Sequence, residues 1–191
     1  FGIGLDTYWD QFDGLKSRLE GYLSFVEEQI KSVHPSVVNA GLVDNTDKAF
    51  DAALLFRKQA VDIVFLYVTT YALSSTVLPV VQKLKVPVVV LNLSPEAQID
   101  YTSFNKMDDR TKMTGEWLAY CSACPVPEIS NVFHRTGIKF FQVTGVLDKS
   151  DECWKEIFDW VEAAKVAYTM SVNRMGCMGH YYSGMLDIYT D

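Results

Sequence analysis

The 191-residue chain has little of several features that define familiar classes of protein. Four cysteines are too few for a disulfide-stapled scaffold, and they fit a reducing cytoplasm better. No apolar run approaches the roughly 18 residues that cross a bilayer, because the longest, residues 86–91, has only the length of a strand. The 24 acidic residues outnumber 17 basic ones, so no basic surface for nucleic acid is expected. These absences predict a cytoplasmic protein that binds neither a membrane nor nucleic acid.

Familiar catalytic and cofactor motifs are also missing. The segment GIGLDT, residues 2–7, lacks the third glycine of a dinucleotide fingerprint, and neither a Walker sequence nor a G-x-S-x-G elbow occurs. Cys121 and Cys124 have the spacing of a redox or zinc pair, but they follow a predicted helix and no second pair accompanies them. We interpret them as two small buried thiols. The three histidines are too scattered for a metal cluster, and only His180 is a candidate for function.

What the sequence does contain is an alternation of short β-branched runs and longer amphipathic stretches. Strands are predicted at residues 1–4, 37–43, 62–68, 87–93, 139–146 and 173–178. Because helical patterns separate the first five, they predict an α/β fold with a doubly wound, parallel, five-stranded sheet. We expect the flavodoxin-like strand order 2-1-3-4-5.

The helical stretches have recognisable buried faces and N-terminal caps. Helical spacing predicts one buried face made up of Leu15, Leu19, Leu23, Val26, Ile30 and Val33. A second helix should bury Ala49, Phe50, Ala53 and Phe56, and the last long helix should bury Trp154, Ile157, Val161, Ala164 and Tyr168. The expected N-caps of these three helices are Asp13, Thr46 and Ser150.

The sixth predicted strand begins shortly before the chain ends, too late to complete a domain of its own. We therefore expect residues 1–171 to form an amino-terminal α/β domain and residues 172–191 to begin a second, truncated α/β domain. The first residue is Phe1 instead of a methionine, which leaves room for an upstream segment as well. The chain is thus interpreted as a fragment of a longer protein.

Ligands of open parallel sheets bind beyond the carboxyl ends of the strands. Four connections predicted at that edge combine hydroxyl, amide, carboxylate and aromatic groups, and they are residues 6–11, 68–75, 94–113 and 179–184. This mixture fits a small polyhydroxy ligand, because polar groups bind sugar hydroxyls while aromatic faces cover the C–H side of the ring. The aromatic side chains could instead simply close the end of the core, and both interpretations stay open.

Six segments taken in order resemble one known family. They are GLDTYWDQF, FLYVTTYALSSTVLPVVQ, PVVVLN, MTGEWLAYCSACPVPEI, FFQVTGVL and RMGCMGHYYSGMLDIYTD. Together they are similar to the L-arabinose/L-fucose isomerase family, in particular to its arabinose isomerase-like branch. The resemblance runs through essentially the whole chain, and it implies an amino-terminal α/β domain followed by the entry into a middle one. It is less specific for the substrate, because members of the family act on several aldoses.

The resemblance implies an aldose–ketose isomerase of carbohydrate metabolism, cytoplasmic and homo-oligomeric when whole. In the family a divalent metal, typically Mn²⁺, polarises the substrate oxygens while carboxylates move a proton between C1 and C2. The metal ligands of the family, two carboxylates and two histidines, fall outside this chain. We therefore expect no catalytic and no metal-binding residue here, and no activity from the chain alone.

What the resemblance does assign to this chain is the rim of a monosaccharide pocket. The expected substrate-binding residues are Asp6, Tyr8, Trp9, Tyr71, Met113, His180 and Tyr182. The first three lie in the turn after the first strand, which lines the sugar in the family. Met113 ends a segment that reaches a neighbouring subunit's site, and the last two residues belong to the loop entering the middle domain. Tyr71 follows the third predicted strand.

Two other interpretations stay open. A non-catalytic sugar-binding module, like periplasmic or transcriptional sugar receptors, also pairs two α/β domains around a cleft lined with aromatic and acidic residues. A signal peptide or a DNA-binding segment encoded upstream would favour that module, whereas spaced glutamates and histidines downstream would favour the isomerase. A protein that kept the family's scaffold but lost catalysis is the third possibility.

Overall fold

The computed structural model describes residues 1–174 and 176 and has an α/β architecture. Its strands are β1 (Gly2–Ile3), β2 (Leu42–Val43), β3 (Val64–Tyr67), β4 (Val88–Ser94) and β5 (Phe140–Val146). They form one five-stranded sheet in the order β2-β1-β3-β4-β5, and every neighbouring pair is parallel. The predicted doubly wound sheet and its strand order are confirmed.

Helices cover both faces of the sheet, as a parallel sheet requires. They are α1 (Leu15–Val33), α2 (Thr46–Lys58), α3 (Ser74–Val81), α4 (Tyr101–Phe104), α5 (Arg110–Ala119), α6 (Val126–Arg135) and α7 (Cys153–Val172). On one face lie α1 and α7, and on the other lie α2, α3 and α6. Helix α5 packs against α1. Among the helices of the described residues, none combines the length and the apolar character needed to cross a bilayer.

The interior strand β4 joins the two layers of the core. Val88 and Val90 pack with the α2, α3 and α6 layer, whereas Val89 and Leu91 pack with α1 and α7. All four side chains are at most 1% exposed. A strand buried on both faces needs an unbroken apolar run instead of an alternating one, and this explains the apolar residues that predicted it.

Strand β2 is shorter than predicted. The expected strand began at residue 37, but only Leu42 and Val43 pair with β1. Gly41 immediately before them has a φ of 74°, in the left-handed region that an extended strand does not contain. The apolar residues Val37 and Val38 before this bend are half-buried and lie outside the sheet.

The predicted N-caps are wrong by one or two residues. Helix α1 follows Gly14 instead of Asp13, and no side chain caps it. Helix α2 is capped by Asn45, whose Oδ1 accepts a hydrogen bond from the backbone N–H of Lys48 at 3.0 Å, so Thr46 is already inside the helix. The N-cap of α7 is Glu152 instead of Ser150.

The buried helix faces are confirmed at their centres and wrong at some ends. In α1 the first five predicted positions are buried, but Val33 in its last turn is 38% exposed. Phe50 of α2 and Tyr168 of α7 are 56% and 53% exposed, so both predictions of burial are wrong. Ala53 and Ala164 are half-buried. In α2, Ala52 occupies the buried position that the sequence pattern assigned to its neighbour.

The predicted sixth strand, residues 173–178, lies largely outside the described residues, and so does the proposed beginning of a second domain at 172–191. Residue 172 is the last residue of α7, and residue 173 is the C-cap of that helix.

Candidate functional site

The turn after β1, which holds the segment GLDTYWDQF, is compact and locally hydrogen-bonded. Residues 6–8 form a single 3-10 turn, and the backbone N–H of Trp9 donates to the carbonyl oxygen of Asp6 at 3.1 Å. The Trp9 ring folds back over Gly4, so closely that a Cβ at Gly4 would lie 2.8 Å from it. Glycine is therefore favoured at position 4, because the indole occupies the place that a side chain would take.

Asp44, at the carboxyl end of β2, fixes this indole from the neighbouring strand. Its Oδ2 accepts a hydrogen bond from Trp9 Nε1 at 2.8 Å and another from Lys48 Nζ at 2.7 Å. Asp44 is 1% exposed, and its second oxygen, Oδ1, is buried without a hydrogen-bond partner among the described residues. The sequence did not single out Asp44, although a carboxylate that directly follows a buried strand is a signal that could have found it.

The aromatic residues of the turn also close one end of the core. Tyr8, Trp9 and Phe12 pack against a buried cluster made up of Leu15, Leu19, Leu42, Leu118 and Ala119. Tyr8 contacts both of its aromatic neighbours edge to face, with ring centroids 6.4 Å and 5.9 Å apart. These contacts give Trp9 a packing role, and its contact with a sugar stays a prediction.

Helix α5 lies beside this turn and brings a distant segment to the same edge. Gly115 of α5 is so close to Phe12 that a Cβ at Gly115 would lie 3.3 Å from the Phe12 Cβ. Arg18 of α1 forms an ion pair with Glu116 of α5 at 2.7 Å. The Thr70 hydroxyl, after β3, donates to the carbonyl oxygen of Leu118 at 2.7 Å. Three segments that are far apart in the sequence therefore meet at the carboxyl edge of β1 and β3.

Two phenols, a thiol and a carboxylate lie close together at this edge. Tyr71 Oη is 3.4 Å from Glu128 Oε2, and the charge of Glu128 raises the pKa of Tyr71. Burial raises the pKa of Tyr8, and the proximity of Cys121 and Tyr71 raises it further. Both phenols are thus neutral at physiological pH, with hydroxyls that can donate as well as accept hydrogen bonds.

Glu128 stays ionised in this cluster. Hydrogen bonds from the side chain and backbone N–H of Ser74 hold the pKa of its carboxyl below the ordinary value of 4.5, and Tyr71 adds to the effect. Glu128 Oε1 lies 3.1 Å from the Ser74 backbone nitrogen, at the first residue of α3. The carboxylate thus connects α6 with the start of α3 and with Tyr71.

The predicted substrate-binding residues are not all brought together. Tyr8 and Tyr71 are neighbours, and Asp6 lies exposed in the same turn as Tyr8. Met113 is half-buried in the first half of α5. His180 and Tyr182 lie outside the described residues.

No group of three or more histidine, cysteine, aspartate or glutamate side chains in the described part of the chain has an arrangement that could hold a metal ion. The buried carboxylate of Asp44 already binds Trp9 and Lys48, and Glu128 binds Ser74. These carboxylates do not fit a manganese site, because their oxygens already bind protein groups.

Two concavities lie away from this cluster. An open, acidic depression of about 650 Å³ at the ends of β4 and β5 is lined by residues 95–97, 146–148 and 150–152. Hydrogen bonds from Ser150 lower the pKa of Asp148, so this carboxylate already stabilises the local turn. An apolar cleft of about 410 Å³ between α1 and α7 lies near the amino ends of the strands. None of the five predicted binding residues that the structure describes lines either concavity.

No model of a known protein family matches the chain, and no curated protein matches it significantly.

Proposed function

We propose that this chain is the amino-terminal α/β part of a metal-dependent aldose–ketose isomerase of the L-arabinose/L-fucose isomerase type. The observation that supports it most is the convergence of three of the resembling segments at one sheet edge. The turn after β1 and the connection after β3 both contact helix α5, the first through Phe12 against Gly115 and the second through Thr70 against Leu118. This is the edge at which parallel α/β sheets bind their ligands.

In this proposal the chain binds and orients the sugar. Tyr8 and Tyr71 donate hydrogen bonds to sugar hydroxyls as neutral phenols, and the exposed carboxylate of Asp6 accepts them. The metal, held by residues outside this chain, would polarise the substrate oxygens when bound. Carboxylates outside this chain would move the proton between C1 and C2. The role of this chain is therefore to orient the substrate and not to perform the proton transfer.

The whole protein is proposed to be a cytoplasmic homo-oligomer. Residues 110–113, which include Met113, would contact the sugar site of a neighbouring subunit. Arg110 and Lys112 are exposed at the start of α5, and Met113 is half-buried, so the segment has surface that another subunit can reach. Cys121, Cys124 and Cys153 are free thiols, which suits a reducing compartment.

The experiment compares the 191-residue chain with a longer protein that includes the residues encoded on either side of it. Both are incubated with Mn²⁺ and a panel of pentoses, fucose and galactose, and ketose formation is measured. We expect the longer protein to convert at least one aldose, and the 191-residue chain to convert none. Ketose formation by the 191-residue chain alone would contradict the proposed division of roles.

The contribution of the rim is tested in the longer protein by Tyr71→Phe. Loss of one hydrogen bond to a sugar hydroxyl should raise KM about 5- to 10-fold, which corresponds to about 1 kcal/mol. Tyr101→Phe is the matched control, because Tyr101 is 64% exposed on α4, away from the cluster. Equal effects of the two substitutions would contradict the rim assignment. Sugar binding without turnover, under all metals tried, would favour a non-catalytic sugar-binding module instead.

A further inference from the structure

Cys121 and Cys124 occupy a turn that connects α5 with α6. Helix α5 ends at Ala119 and α6 begins at Val126, so neither cysteine belongs to a helix. The turn is held by hydrogen bonds from the Cys121 backbone N–H to the Leu118 carbonyl at 3.1 Å and from Val126 to Ala123 at 3.3 Å. The structure corrects the interpretation of two buried thiols, because Cys121 is buried whereas Cys124 is exposed.

The two thiols lie close enough to influence each other. Burial raises the pKa of Cys121 to about 12, and the adjacent Cys124 thiol raises it as well. The backbone N–H groups of Cys124 and Tyr71 act on the same sulfur in the opposite direction. The Cys121 sulfur is therefore enclosed between the turn that carries Cys124 and the connection after β3.

Their spacing in the chain also suits a bond between them. The two cysteines are three residues apart in a compact connection, closed by turns at residues 118–121 and 123–126, and disulfides span Cα separations of about 4.4–6.8 Å. Because the two cysteines lie between helices, adjustment of the turn breaks no hydrogen bond inside α5 or α6. Cys153, by contrast, is buried at the start of α7, where its sulfur contacts the Val146 carbonyl.

We propose that Cys121 and Cys124 form an oxidation site, which hydrogen peroxide converts into a reversible disulfide. The exposed Cys124 sulfur attacks the peroxide, the O–O bond breaks, and Cys124 becomes a sulfenic acid while water leaves. The Cys121 sulfur then attacks the Cys124 sulfur, the S–O bond breaks, and the hydroxyl leaves as water with the Cys121 proton. Two electrons pass from the sulfurs to the peroxide, and a dithiol later reverses the reaction.

This division of roles follows from exposure. Peroxide reaches Cys124 first, because Cys124 is exposed and Cys121 is only 3% exposed. Cys121 is sheltered from external oxidants but adjacent to the oxidised partner, which is the position of a resolving thiol. The disulfide would fix the turn against Tyr71 and so tighten the tyrosine cluster at the sheet edge. The inference holds whether or not the edge binds a sugar.

The test treats the native 191-residue chain with hydrogen peroxide, blocks free thiols with an alkylating reagent, and analyses tryptic peptides by mass spectrometry. Both cysteines lie on one tryptic peptide, residues 113–135, so the disulfide appears as this peptide without label and with two hydrogens fewer. We expect that form to dominate after mild oxidation and to disappear after treatment with dithiothreitol. Cys153, which is buried in the same molecule, should remain fully labelled after unfolding.

Two variants keep the test decisive. Cys124→Ser changes an exposed side chain, and it should leave Cys121 a free thiol under the same peroxide treatment. Cys121→Ser should leave Cys124 as an over-oxidised acid that dithiothreitol cannot restore. The proposal is overturned if wild-type Cys124 becomes over-oxidised while Cys121 stays a thiol. It is also overturned if the disulfide forms only in urea-unfolded protein.

Discussion

At the scale of single residues, the hydrogen bond between Trp9 and Asp44 connects the turns after β1 and β2 at the carboxyl edge. Burying a carboxylate costs free energy that its hydrogen bonds must offset, and here one oxygen, Oδ2, accepts from both an indole N–H and a lysine ammonium. The partners are 35 residues apart in the sequence, in turns that follow different strands. This pairing is a tertiary contact, so no local pattern could have predicted it.

We predict that Asp44→Ala lowers the free energy of unfolding by about 1–3 kcal/mol, because the Trp9 N–H loses its partner in a partly buried site. Urea unfolding followed by tryptophan fluorescence measures the loss. Asp47→Ala is the control, since Asp47 is exposed one turn away and its removal should cost much less. A cycle with Trp9→Phe should show that the two losses are not additive. Additive losses would mean that the 2.8 Å contact contributes nothing.

A second prediction at this scale concerns Gly4. A Cβ at Gly4 would meet the Trp9 ring at 2.8 Å and 2.9 Å, so Gly4→Ala must displace the indole and should cost about 1–3 kcal/mol. Gly21→Ala is a matched control on the exposed side of α1, where no atom lies within 4 Å of the new methyl group. There the change should stabilise the protein by about 0.5–1 kcal/mol through helix propensity. Thermal or urea unfolding of both variants measures whether each substitution lowers or raises the free energy of unfolding.

At the scale of helices and strands, sequence periodicity predicted the existence of most elements better than their ends. Helical spacing found α1 and α7, because a buried face needs apolar residues at that spacing whatever the neighbours are. The buried face of α7 ends at Val161 instead of Tyr168, and the greater length of the helix relative to β5 accounts for part of its exposed end. Its 20 residues span about 30 Å, whereas the seven residues of β5 span about 23 Å.

Substitutions in the first and second halves of α7 should therefore change the free energy of unfolding by different amounts. Ile157→Ala removes a fully buried side chain and should cost about 2–5 kcal/mol. Met170→Ala, in the same helix, should change stability by less than about 0.5 kcal/mol, because Met170 is 73% exposed. Urea unfolding of the two variants measures the contrast. A large loss from Met170→Ala would show that the second half of α7 is covered in solution.

The connection between α3 and α6 gives a prediction about pH. Hydrogen bonds from Ser74 lower the folded-state pKa of Glu128 below 4.5, so their stabilisation is present above that pH and is lost as the pH falls through the folded-state value. At about pH 7, Glu128→Gln should cost about 0.5–1 kcal/mol, a modest value because solvent still screens this half-buried carboxylate. The difference in stability between the wild type and the variant should shrink as the pH is lowered toward about 3.

Urea unfolding across this pH range compares the two proteins. Glu20→Gln, on the exposed side of α1, is the control for the removal of a surface carboxylate. A difference for Glu128→Gln that grows as the pH falls would have the wrong sign for a carboxylate that folding keeps ionised.

At the scale of the whole molecule, the sheet order was predictable because its determinants are general. Alternating strands and helices with right-handed crossovers leave few arrangements, and the observed order is the expected one. The candidate site was predictable only in part. Strand ends identified Tyr8 and Tyr71, but Glu128 lies on a helix that topology alone does not bring to the edge. The contact of Glu128 with α3 depends on side-chain packing that the sequence does not display.

The two core layers should unfold as one unit, because strands β3 and β4 contribute side chains to both layers. Val89 and Val90 are consecutive, equally buried and on opposite faces of β4, so they form a matched pair. Val89→Ala and Val90→Ala should each cost about 2 kcal/mol through lost burial and the cavity left behind. Each should move the whole unfolding transition without changing its slope, since neither layer retains a sheet when the other is lost.

Circular dichroism and tryptophan fluorescence, followed in the same urea titrations, provide the check. Trp154 is buried against α1 in one layer, whereas Trp9 reports on the carboxyl edge, so fluorescence samples more than one region. Coincident curves for the wild type and both variants support a single cooperative domain. A variant that separates the two curves would show that one helical layer can leave the sheet alone, and the carboxyl edge would then have to be treated as a unit with its own stability.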